Sequence, residues 1–490
     1  MQAETVSRNT GYLTFSYIVQ KALAFVYFIF VARALGVEDL GKYTFALSFT
    51  TMFAVLVDQG LTSAIIRESA KDESRTEKLL SATIGIKLLA SILVYGLVIF
   101  VVNLMNYPEI TRQLVYISGI IMLMDQFTVS FFGIFRGKRN LRLESVSVII
   151  NQCLILLTGF IVIYLKLPLI FYFLPFVVGS FFNLIFSAVN VRRLGVKIRV
   201  SFDLKSWKFL LKLSLPFALI AIFSRIYGNI DTVMLSKIAG DSAVGFYGVA
   251  MKIPFALQFI PAALAAAIFP AFSYQFSHDK SQLKETFDRV MKFLTITVVP
   301  ISAGIIILAP SIIHSFYGNV YQPAILPLQI LMFGLIFVFL NFPLGSLLNS
   351  SNRQTANTIL VGVTMLLNIA LNIFIIPKFG FLGASAVFVV CHGFLFFASL
   401  IVSRKIIPYA KKSLLWDFTK TMFSALAMTL VVYWLLPYLH FLVLIPIGAF
   451  IYVVGIFATQ AITFEELNYF KASIFKKKSA DELPIDITKK

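Results

Sequence analysis

A chain of 490 residues that is 59% hydrophobic and only 13% charged, with a mean hydropathy of +0.88, falls far outside the soluble globular range. Its formal net charge of +19 needs no nucleic acid: membrane topology and attraction to anionic lipid headgroups account for it. Cys153 and Cys391 both fall in apolar segments and give no disulfide framework. His278, His314, His392 and His440 stand singly, so no metal or other cofactor is expected.

Fourteen apolar runs are long enough to cross a bilayer. The first, 11–33, is followed by no small-residue cleavage pattern and carries Lys21 inside it, so it reads as a retained helix and not a signal peptide. Lys21 shares a helical face with Thr10, Thr14 and Tyr17. The second run, 43–65, contains Asp58, read towards its outer end. The third, 79–103, carries Lys87 about eight residues in, near enough to snorkel back to the cytoplasmic side. Asp125 lies midway along the fourth, 114–135. The fifth and sixth, 145–165 and 168–190, are separated only by Lys166 to Pro168.

A basic stretch, Arg192–Lys212, follows. Within it Phe202, Trp207, Leu210 and Leu211 alternate with Lys205, Lys208 and Lys212, the pattern of an interfacial helix. The seventh run, 215–237, carries Arg225 on one face with Ser214, Gly228, Asn229 and Thr232, and Asp231 towards its outer end. The eighth, 244–269, holds Lys252 two residues before Pro254, with Pro261 beyond. These prolines free the carbonyls of Ala250 and Leu257 and predict a bent helix. Runs at 293–315, 326–348, 355–376, 381–402, 418–436 and 441–462 complete the set. In the tail, Tyr469, Phe470, Ile474 and Phe475 precede Lys476, Lys477 and Lys478 as a second interfacial stretch, and disorder is expected beyond Ser479.

The loops orient these spans. With the N-terminus inside, cytoplasmic segments hold 32 of the 42 basic residues, while the opposite loops hold only Arg33, Lys42, Arg112, Lys166, Lys237 and Lys378. An even number of spans with both termini cytoplasmic, in the cell membrane, follows.

One polar skeleton occurs twice, 204 residues apart: Lys21, Gly36, Gly41, Tyr43 and Ala46, then Arg225, Gly240, Gly245, Tyr247 and Ala250. Six spans separate the copies, so they share an orientation and form a parallel repeat. The expected fold is an all-α polytopic membrane protein with two six-helix lobes, at 1–200 and 201–412. Two extra spans follow at 413–465, then a cytoplasmic tail at 466–490. The glycines read as a turn device and the tyrosines as interface residues.

Charges inside spans are candidate sites. Lys21 and Arg225 are expected to face each other across a central cavity, with Lys252 and Lys87 as further cations for an anionic, diphosphate-bearing cargo. The structural alternative pairs Arg225 with Asp58 or Asp231. Asp58, Asp125 and Asp231 are candidates for coupling to protons or sodium.

Several motifs carry a family resemblance. Ala32 to Gly36 with Gly41-Lys42-Tyr43, Asp58 to Leu61 with Arg67-Glu68, and Asp231 to Leu235 with Val244 to Lys252 resemble polysaccharide transporters. So do Phe316 to Gly318, and Asn372 to Pro377 with Gly380, Gly383 and Ala384. The chain resembles the polysaccharide transporter family of the multidrug/oligosaccharidyl-lipid/polysaccharide superfamily over nearly its whole length. The resemblance implies a flippase that moves a polyprenyl-linked oligosaccharide by alternating access, and glycan polymerases or glycosyltransferases of the same route as partners. A lipid II flippase and a drug or cation antiporter share the fold. Cations in spans one, three, seven and eight favour an anionic cargo over the antiporter. A membrane glycosyltransferase or polymerase, suggested by Glu38-Asp39, lacks the large outer loop it would need.

Overall fold

The computed structural model describes residues 2–408 and 411–462; the predicted interfacial stretch at 469–478 and the tail beyond Ser479 lie outside the described residues. Among the described residues there are helices and turns but no strand. Twelve helical segments are long and apolar enough to cross a membrane. Two of them are double: α1 (Gln2–Asp58) breaks at Gly36 and α13 (Gln354–Ser403) breaks at Gly380, which gives fourteen crossings. A side chain at Gly36, with φ 74°, would strain the backbone, and the repeat's partner Gly240 has φ 87°. The face carrying these glycines is called the turn face below, and the opposite one the basic face.

The first six spans comprise α1, α3 (Thr76–Leu104), α4 (Glu109–Gly137), α5 (Leu141–Tyr164) and α6 (Leu174–Arg193), with a short α2 (Leu61–Lys71) on the basic face. The next six begin with α7 (Leu204–Tyr227) and α8 (Ile230–Ala239), followed by α9 (Asp241–Leu257) and α10 (Phe259–His278). They end with α11 (Lys280–Tyr317), α12 (Ile325–Ser350) and α13. The two extra spans, α14 (Lys411–Leu435) and α15 (Phe441–Ala458), pack on α11, where the Tyr452 hydroxyl donates to the Ile296 carbonyl at 2.7 Å. Phe100, Phe374 and Phe450 are exposed on the outside, as side chains that lipid would cover must be.

Two predicted breaks differ in outcome. Span eight divides at Gln258, next to the Leu257 carbonyl that Pro261 leaves without a donor, as the prolines require. The expected interfacial helix, however, is not separate from span seven. It is the first half of one continuous helix, α7, capped by Asp203, whose carboxylate accepts from the Lys205 amide and the Ser206 hydroxyl. Those bonds, the Ser206 one foremost, hold Asp203 below the usual carboxylate range. Part of its apolar surface lies against protein: Leu210 is buried with Leu61, Ala64, Leu79, Ala82 and Ile86 of the first lobe, and Trp207 packs on that cluster, while Phe202, Phe209 and Leu211 stay exposed. Span seven then breaks at Gly228–Asn229.

The lobes meet along a seam between α1 and α9. A methyl group at Gly41 would collide with the backbone of Asp241, and one at Gly245 with the backbone of Val37. Asp241 is the repeat equivalent of Val37, so the contact is reciprocal about a two-fold axis. One turn further, Gly248 faces Thr44, its own repeat equivalent. The turn-device reading therefore holds for Gly36 and Gly240 and is corrected for Gly41 and Gly245, which are close-packing positions. The paired tyrosines are also corrected from interface residues to core. Tyr43 is buried against Phe173, and Tyr247 is buried with its hydroxyl donating to Asp231.

Candidate functional site

Lys21 and Lys252 come together where the lobes meet, each resting on an aromatic ring of the other's helix. The Lys21 ammonium lies 4.8 Å from the centre of the Phe255 ring on α9, and the Lys252 ammonium 4.4 Å from that of Phe28 on α1. These crossed contacts bring two like charges to the same junction between the lobes. Both side chains are half-buried, and among the described residues neither has a carboxylate within ion-pair distance. At about 1.5 Å per residue, Lys21 lies roughly 22 Å from the Gly36 break and Lys252 about 18 Å from Gly240, near the middle of a bilayer.

Ring contacts of this kind contribute about 0.5–2 kcal/mol each, less than an ion pair would supply in a low-dielectric setting. Two like charges held on aromatic seats without a counter-ion leave an excess of positive potential. A doubly charged anion would relieve it better than a single carboxylate side chain could.

The repeat does not generate this arrangement. The equivalents of Lys252, Phe255 and Phe28 are Ser48, Thr51 and Thr232. The site is chemically one-sided on a two-fold scaffold.

The expected meeting of Lys21 with Arg225 does not occur. Arg225 is exposed, and among the described residues its guanidinium has no ion pair with Asp58 or Asp231; only its backbone carbonyl is engaged, by Asn229 at 2.9 Å. Two residues before it, Phe223 packs on Gly362 of α13, so a turn of about 200° puts Arg225 on the other side of α7. The expected polar stripe of span one also divides. Lys21 reaches the second lobe, while the Tyr17 hydroxyl donates to Glu144 within the first at 2.8 Å. Glu144 is wholly buried and takes the Arg136 guanidinium through Nε at 2.8 Å.

Lys87 does not snorkel. It is wholly buried, with its ammonium 2.6 Å from Asp58 Oδ1, 2.7 Å from the Gln126 carbonyl and 3.5 Å from Thr62 Oγ1. Asp58 ends α1 on the basic face, not near the turn face as its place in the second run suggested. Lys87 and Asp58 therefore satisfy one another inside the first lobe. Asp125 is half-buried, and its carboxylate accepts from Ser180.

Asp231 is buried, and among the described residues no cation pairs with it. Its oxygens accept from Asn372 Nδ2 at 2.6 Å and from the Tyr247 hydroxyl at 3.2 Å. Asn372 also donates to Asn368 Oδ1 at 3.1 Å, and among the described residues Asn372 Oδ1 has no partner. Sequence reasoning passed over Asn368 as a site residue. The signal was present, since two asparagines four residues apart in an apolar span lie on one helical face.

Known proteins resemble this chain in sequence and in fold. The profile of a family described as polysaccharide biosynthesis protein matches residues 6–276, and that of MatE matches 216–374. The capsular polysaccharide biosynthesis protein CapF of Staphylococcus aureus is 20% identical over 383 residues, covering 77% of this chain and 94% of that protein. The Haloferax volcanii protein named "Probable low-salt glycan biosynthesis flippase Agl15" is 21% identical, covering 78% of this chain and 79% of its own length. Among solved structures, the lipid II flippase MurJ in an inward closed conformation superposes with a TM-score of 0.76 at 18% identity, over 95% of this chain and 99% of that one.

Proposed function

Because this chain belongs to the polysaccharide biosynthesis protein family, we propose that it is a flippase for a polyprenyl-(di)phosphate-linked oligosaccharide, working by alternating access between two lobes. The observation that carries the reading is the Lys21–Lys252 pair: two cations from opposite lobes, at mid-depth, with aromatic seats and no carboxylate partner among the described residues. A diphosphate linking lipid to glycan offers the matching charge at the matching depth, while the lipid tail stays in the bilayer and the glycan occupies the space between lobes. Arg225, exposed on α7, is in this reading a further cation for the same headgroup as it enters. The basic loops put both termini and the basic face in the cytoplasm, next to anionic lipid. The same cations argue against a drug or cation antiporter, whose cargo they would repel. Nothing in the arrangement asks for bond chemistry; the work is transport.

Coupling belongs to Asp231 in this reading. A carboxylate met, among the described residues, only by neutral donors can take a proton or a small cation as the second lobe changes shape. An Asp231→Asn variant should keep cargo binding while losing dependence on the ion gradient.

The test uses proteoliposomes and a fluorescent polyprenyl-diphosphate glycan. The Lys21→Ala, Lys252→Ala double variant should transport at least about tenfold more slowly than the parent, the loss expected from one or more charge-assisted contacts. Lys21→Arg should keep most of the rate. Parental transport in the correctly inserted double variant would remove the cation role.

A further inference from the structure

On the turn face, each lobe holds the end of the other lobe's first span through the same pair of contacts. Arg33 of the first lobe donates from Nε to the Phe316 carbonyl at 2.7 Å and from Nη2 to the Ser315 carbonyl at 2.6 Å, at the C-terminal end of α11. Lys237 of the second lobe donates to the Met105 carbonyl at 2.6 Å, which caps the C-terminal end of α3. Arg33 and Lys237 occupy equivalent positions of the repeat, and α3 and α11 are the third span of their respective lobes.

A tyrosine accompanies each cation. Tyr321 donates to the Ala32 carbonyl at 2.7 Å, and Tyr107 to Ser236 Oγ at 3.2 Å; Ala32 and Ser236 are again equivalents. Burial pushes the Tyr107 phenol up to about 12, so it remains a donor. Arg33 and Gly41 stand on either side of the Gly36 break, as Lys237 and Gly245 do of Gly240.

We propose that Arg33 and Lys237 are a matched pair of gating residues that hold the turn face shut and let go when it opens. The choice of acceptor supports this. Carbonyls at a helix C-terminus attract a cation through the helix dipole, yet they are also readily satisfied by water. Both cations are exposed, so water can replace the protein on either side of each contact. A full ion pair, as the buried Lys87 makes with the Asp58 carboxylate, would not release so easily. The same cation-to-carbonyl contact made twice, in opposite senses across the axis, closes the lobes evenly over the glycine seam. This inference rests on the alternating-access reading above, but its test requires no cargo.

The reporter is Thr44→Cys, a near-isosteric change on the seam opposite Gly248, in a background with Cys153→Ser and Cys391→Ala. A charged, membrane-impermeant methanethiosulfonate is added to the turn face of sealed vesicles, and the rate of labelling is read. The Arg33→Gln, Lys237→Gln double variant should label roughly tenfold faster than the parent, with each single variant between them and Arg33→Lys near the parent. Labelling of the double variant at the parental rate overturns the proposal. Should the double variant not insert, the singles decide: faster labelling in each supports the proposal, and the parental rate in both overturns it. A wrong cargo assignment would leave all of these rates unchanged.

Discussion

Removing the Lys87 ammonium should destabilise the first lobe without touching cargo. Lys87 is wholly buried, while the Asp58 side chain is 21% exposed, and the pair is completed by Thr62 and the Gln126 carbonyl. Breaking a buried pair by removing one partner costs about 3–5 kcal/mol, because the other charge is left uncompensated. Water reaching Asp58 puts Lys87→Met at the lower end, roughly 3 kcal/mol. Asp58→Asn should cost more than Lys87→Met, since the stranded charge is then the fully buried ammonium, held only by a carbonyl and a hydroxyl. Changing both together should recover part of the loss. Thermal unfolding in detergent micelles measures the stabilities, and transport in proteoliposomes measures function. The order Asp58→Asn below Lys87→Met below the double variant is the expected result. A double variant that melts like the parent but no longer transports would refute the reasoning and return Lys87 to the cargo site.

Four further substitutions test the framework around the site. Arg136→Leu strands the wholly buried Glu144 carboxylate and should cost about 3–5 kcal/mol in unfolding measurements, whereas Tyr17→Phe removes one hydrogen bond to a charged group and should cost about 1.5–3 kcal/mol. Gly245→Ala drives a methyl group into the Val37 backbone and should part the seam, raising Thr44→Cys labelling. Gly36→Ala has open space but a strained φ of 74°, and should lower stability by about 1–2 kcal/mol with the seam intact.

The fourteen crossings were legible because hydrophobic length and loop charge are local properties of the chain. Gly36 and Gly380 were legible as breaks for the same reason. What sequence could not supply was partnership. The depth of Lys87 suggested snorkelling, yet only the fold brings Asp58 to it from another helix. Arg225 matched Lys21 in the repeat, but equivalence under a two-fold axis does not imply contact across it. The residue that reaches Lys21's neighbourhood is Lys252, whose equivalent is Ser48. The α7 helix shows the same limit. Alternating apolar and basic residues fit a lipid surface, and they fit equally well the protein surface formed by Leu61, Leu79 and Ile86.

The molecule thus places its symmetry and its asymmetry at different depths. At the turn face, Gly41 and Gly245, Arg33 and Lys237, and Ala32 and Ser236 repeat one another's contacts, as suits lobes that must separate and rejoin without favouring either. At mid-depth the equivalence fails: Lys252, Phe255 and Phe28 stand opposite Ser48, Thr51 and Thr232. A cargo with a diphosphate at one end and a glycan at the other has no two-fold axis of its own. A symmetric cavity would offer it two equal and opposite poses. In the proposed reading, concentrating charge on one side selects a single pose, and that ties the asymmetry at Lys252 to the shape of the proposed cargo.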